Sequence, residues 1–86
     1  MFRNFGLMEN QEAIDQIVKF VSQKLTRLRR EKGYTSHETF ANDNDFARMQ
    51  YWRIEKGKTN LTLTTLVRLL NIHEISIKDF FEDFDN

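Results

Sequence analysis

Apolar residues at positions 14, 17, 18, 21, 25 and 28 are separated by steps of three and four, so they trace one stripe of an α-helix over residues 10–32. Asn10 is the expected cap of this helix. Glu12 and Asp15 suit the positive end of its dipole, and Arg29, Arg30 and Lys32 suit the negative end before Gly33 stops it. A helix of this span is ~33 Å long, more than one small core covers. Its first half, with Phe20 just off the stripe, is therefore expected to meet another chain.

Shorter segments follow. Residues 36–43 form a helix capped by Thr35 or Ser36, with Phe40 and Ala41 inward. "NDND" at 42–45 is the densest turn signal in the chain, because Asn and Asp tolerate left-handed backbone and bond locally. Phe46 then enters the core, and residues 47–56 form a helix with Ala47, Tyr51 and Ile54 inward and Gly57 as its stop. The short interval between these two helices is that of a helix-turn-helix unit. Thr62 caps a helix over 62–71 with Leu63, Leu66, Val67, Leu69 and Leu70 inward, and Ser76 caps another over 76–83 with Ile77, Phe80 and Phe81 inward. No strand-period segment, internal repeat or low-complexity stretch interrupts the pattern. The expected fold is all-α: a single compact five-helix domain over 10–84, preceded by a mobile or partner-held segment over 1–9.

The chain has 86 residues, 40% of them hydrophobic and eight of them Phe, which suits one ordered domain with one modest core. The absence of cysteine excludes disulfides, Cys-ligated zinc and thiol catalysis. No apolar run approaches the ~18 residues of a membrane span, and "MFRNFGLM" is too short and polar for a signal peptide, so a soluble cytoplasmic protein is expected. His37 and His73 have no partner at metal-ligand spacing, there is no Gly-rich phosphate loop, and every carboxylate reads as a cap or a surface charge. Neither an enzyme nor a cofactor is expected.

A net charge of zero argues against nucleic acid as a partner. The distribution argues the other way: between Lys19 and Lys58 ten basic residues face five acidic ones, and both flanking segments are acidic.

From about Leu25 to Phe81 the chain resembles the phage-repressor and Cro type of helix-turn-helix domain, the XRE family. The resemblance rests on "LTRLRREKGYT", "FA" at 40 and 41, "YWRIEKGKTN" at 51–60, "LTTLVRLLNI" and "ISIKDFF". Its most specific part is R-I-E-K-G at 53–57 closing one helix ahead of a capped, Leu-rich one. The chain departs from the family in carrying Asn44 and Asp45 where a Leu-Gly pair is usual. It is one residue longer between Gly33 and Ala41, and it has Leu61 where a proline commonly stands.

The resemblance implies a sequence-specific regulator of transcription that binds double-stranded DNA, as a homodimer, with the helix over 47–56 in the major groove. It places base contacts at Arg48, Met49 and Arg53, with Gln50 and Trp52 beside them. Arg offers a fork to guanine, Met an apolar surface to a thymine methyl, and Gln a pair to adenine. Trp52 has three readings: it covers a sugar-phosphate edge, stacks beneath Arg48 or Arg53, or completes the core against the first helix. Phosphate contacts are implied at Ser36, where the second helix starts, and at Lys56, Lys58 and Asn60 in the loop after the third. The dimer contact falls on the long first helix or on the acidic, Phe-containing C-terminus. A second reading is a protein-protein interaction module on the same scaffold that does not bind DNA, and pairing of the central cations with Glu38, Asp43 and Glu55 would favour it.

Overall fold

Five helices make up the regular structure of residues 9–85, the part of the chain that the computed structural model describes. They are α1 (Asn10–Glu31), α2 (His37–Asp43), α3 (Arg48–Glu55), α4 (Leu63–Ile72) and α5 (Ile77–Phe80). The all-α expectation holds, with boundaries within about a turn of the sequence-based ones. The expected segment over 1–9 lies almost wholly outside the described residues.

Caps account for several of these boundaries. Ser36 accepts the amides of Glu38 and Thr39, Thr62 accepts that of Thr65, and Ser76 that of Asp79, each satisfying donors that the first turn leaves free. Asn10 is not a cap: it is already helical, and Glu9 precedes it without a side-chain bond. Gly33 and Gly57, with φ of 101° and 67°, end α1 and α3 in the left-handed region. At Gly57 the following amide, that of Lys58, returns to the carbonyl of Arg53 at 2.9 Å.

Val21 and Leu25 from α1, Phe40 and Ala41 from α2, Tyr51 and Ile54 from α3, Leu66, Leu69 and Leu70 from α4, and Phe80 from α5 form one core with Phe46 of the turn. Phe81, also expected inward, is only partly buried against this core, and four expected core positions are exposed. Ala47 is the exposed N-cap of α3, and Leu63, Val67 and Ile77 are 80%, 44% and 57% exposed. The reason is geometric. A short helix against a small core buries only a narrow arc, so apolar residues one step off that arc stay in solvent.

Phe20 also departs from expectation. Its ring lies 5.9 Å from Phe80, 5.6 Å from Phe81 and 5.0 Å from Phe84, so the C-terminal segment covers it within the same chain. Asp83 fastens this cover by accepting a 2.8 Å hydrogen bond from Lys24 Nζ, which itself lies against the rings of Phe20 and Phe80. The Lys24 ammonium holds the Asp83 carboxyl below its ordinary range. α5 accordingly ends at Phe80, and residues 81–83 form a turn rather than the expected helix.

Candidate nucleic-acid interface

α3 buries Tyr51 and Ile54 and presents most of its remaining circumference to solvent. Successive residues turn by about 100°, which puts Met49 and Arg53 at the middle of the exposed arc. Arg48 and Trp52 fall on the flank toward α2, and Gln50 falls on the opposite flank. Met49 is 59% exposed, whereas Trp52 is half-buried and lines a shallow cleft with His37, Glu38, Arg48 and Met49. The structure thus brings four of the five expected base-contacting residues to one face and sets Gln50 at its edge.

The α2 side of this face starts at Ser36. Its hydroxyl oxygen already accepts two amides, which leaves its proton free to donate at the positive end of a helix. Beyond the other end of α3, Lys56, Lys58 and Asn60 are exposed in the loop that Gly57 opens. A Cβ at Gly57 would stand 3.5 Å from Ser22 Oγ, so this loop starts hard against α1.

The ion pairs divide the central cations into two groups. Arg48 Nη1 donates to Glu38 Oε2 at 2.7 Å across the α2–α3 gap, with both side chains half or more exposed. Arg29 is buried and pairs with Glu55 through Nε at 2.7 Å and Nη2 at 3.0 Å, while its Nη1 donates to the carbonyl of Tyr34 at 2.9 Å. Glu55 also accepts a 3.3 Å bond from Thr26. Its carboxylate is the main cause that raises the Arg29 pKa further above its ordinary value, so this guanidinium stays charged. Among the described residues, Arg53, Lys56 and Lys58 make no ion pair, and they remain the uncompensated charge near α3.

Two of the three carboxylates whose pairing with the central cations would favour a protein-interaction module, Glu38 and Glu55, are paired in this way, while Asp43 accepts the Tyr34 hydroxyl instead. Arg29, legible in the sequence only as a favourable helix end, bolts the last turn of α3 to α1 through Glu55. Next to them the Tyr51 hydroxyl is buried without a hydrogen-bond partner. Burial pushes its pKa well above the ordinary phenol value. On the far side of Phe40 the His73 ring lies parallel to it, with centroids 5.3 Å apart. Burial, aided by the Lys32 charge, lowers the His73 pKa, and its Nε2 has no partner.

Among the described residues no group of His, Cys, Asp and Glu is arranged to hold a metal ion, and no helix is long and apolar enough to cross a membrane. A further surface feature is an apolar groove between the first half of α1, the start of α4 and α5, lined by Ile14, Ile17, Leu61, Leu63, Ile77 and Phe81 among others.

No protein-family model matches the chain, and no solved structure matches it at a significant level. The chain is 37% identical over 62 residues to the control protein C.MunI of a Mycoplasma species, an alignment that covers 72% of this chain and 84% of that protein. Identity of that extent shows that this chain belongs to the family of that control protein.

Proposed function

We propose that the protein is a transcriptional regulator of the repressor and Cro helix-turn-helix type that binds double-stranded DNA sequence-specifically, with α3 in the major groove. The observation that carries this reading is the exposed face of α3, which sets two arginines and a methionine outward on a helix whose inward side is locked into the core. Arg53 and Met49 at the middle of the arc are the first base-reading side chains, and Arg48 and Trp52 read or cover the flank toward α2. Ser36, Lys56, Lys58 and Asn60 bracket that face and hold phosphates, which set register without carrying sequence information.

A second copy of the chain occupies the apolar groove. One module reads only a few base pairs, and a two-fold pair of modules on half-sites about one helical turn apart supplies the missing specificity. Asn60 and Leu61, directly after the α3 loop, line the groove, so an interface there meets the phosphate-holding edge of the reading face at Asn60 and leaves Met49 and Arg53 free.

The experiment is binding to a pool of random-sequence duplexes at several salt concentrations. The native chain is compared with an Arg48→Glu, Arg53→Glu variant of confirmed helicity. Binding that weakens steeply with salt and is lost in the folded variant supports the reading. Equal binding by both proteins, or none at low salt, refutes it and favours the protein-interaction module.

A further inference from the structure

The turn that joins α2 to α3 carries an unfavourable residue at its pivot. Asp45 takes up the left-handed conformation, with φ of 64°, where glycine would be unstrained. α2 ends with Asp43 and has no basic residue in its last turn, so the negative end of its dipole is uncompensated from within. Among the described residues, no backbone amide donates to the carbonyls of Asn44 and Asp45.

Arg68 of α4 meets all three conditions at once. Its Nη2 donates to the carbonyl of Asn44 at 3.0 Å and to that of Asp45 at 2.7 Å. Its guanidinium carbon lies 4.0 Å from the centre of the Phe46 ring, whose other side plugs the core. The cation therefore sits at the negative end of α2, fills two orphan acceptors and lies over the ring of the aromatic residue that follows Asp45.

We propose that Arg68 is a positioning residue for DNA recognition: it braces the α2–α3 turn from α4 and so sets the angle at which α3 presents its reading face. The proposal rests on α3 being the recognition helix. α4 is a suitable anchor because Leu66, Leu69 and Leu70 fix it in the core on the face that Arg68 leaves free. Without the brace, the turn keeps a 3.4 Å bond from the Asp45 amide to Asn42 and a 2.8 Å bond from Phe46 to Ala41. Lysine is not an equivalent, since its compact ammonium cannot cover the Phe46 ring with a guanidinium face while it donates to both carbonyls.

The test uses Arg68→Ala and Arg68→Lys, each alone and combined with Asp45→Gly, and reads two quantities. In the free protein, amide exchange at Asp45 and Phe46 is expected to speed up by about tenfold in Arg68→Ala, as a lost charge-assisted bond dictates. Protection at Tyr51 and Leu69 stays unchanged, Arg68→Lys resembles the alanine variant, and Asp45→Gly reduces the effect. In binding, Arg68→Ala is expected to weaken a duplex selected from the random pool by about tenfold and an unselected duplex far less, with the same salt slope for both.

Unchanged exchange at Asp45 and Phe46 overturns the brace whatever happens with DNA. Faster exchange with an unchanged ratio between the two duplexes overturns its link to recognition. An equal loss on both duplexes, with a shallower salt slope, makes Arg68 a phosphate contact and overturns the proposal. If the native chain binds no DNA, the proposed function fails together with the recognition role, and the exchange data separately decide the brace.

Discussion

Cutting the Arg29–Glu55 pair on one side should remove a large share of the protein's stability, because the two side chains are only 5% and 6% exposed. In Glu55→Ala the Arg29 guanidinium keeps its bond to the Tyr34 carbonyl but loses both carboxylate bonds, at 2.7 and 3.0 Å. A buried charge stripped of its partner costs about 3–5 kcal/mol, against a total stability of about 5–15 kcal/mol for a domain. At roughly 4–8 °C per kcal/mol for a domain of this size, the melting temperature should fall by at least about 12 °C. Arg29→Ala should do the same by leaving the carboxylate with Thr26 alone. The double variant Arg29→Met, Glu55→Leu should regain most of the loss, since apolar groups of similar volume remove the desolvation cost along with the attraction. Urea denaturation followed by circular dichroism on all four proteins checks this. A loss under about 1 kcal/mol in either single variant would show that water reaches the pair, and it would refute the view that this pair holds α3 against α1.

Other outcomes can be checked alongside. Gly57→Ala should cost about 1 kcal/mol from its left-handed backbone alone, because the new methyl finds ordinary contact distances to Ser22 and Val18. Phe80→Ala should cost about 3–5 kcal/mol, because Phe80 is fully buried and its loss also uncovers Phe20. Stability should decline as pH falls below about 6.5, the ordinary imidazole value, because the lowered folded pKa of His73 means that the unfolded chain takes up the proton first. His73→Phe should flatten that part of the profile in chemical denaturation. Ile17→Glu with Ile77→Glu should leave the melting temperature of dilute protein nearly unchanged while abolishing dimers in sedimentation, and persistence of dimers would move the interface off the groove.

The helices, three of the four expected caps and the helix-turn-helix interval could be read from the chain because they follow from local rules, whereas Asn10 is not the cap expected of it. A period of 3.6 residues shows in the spacing of apolar side chains, and Ser36, Thr62, Ser76, Gly33 and Gly57 mark ends that local backbone chemistry demands. The inward pair Tyr51 and Ile54, and with it the outward face of α3, followed from the same period. Tertiary structure alone decided which apolar residues one step off each stripe reach the core, and so left Leu63, Val67 and Ile77 in solvent. It also decided how charges pair. Arg29 with Glu55, Arg48 with Glu38 and Arg68 with the turn carbonyls are 26, 10 and about 23 residues apart. No local spacing encodes such pairs, because each depends on the angle at which two helices cross once their apolar faces have met.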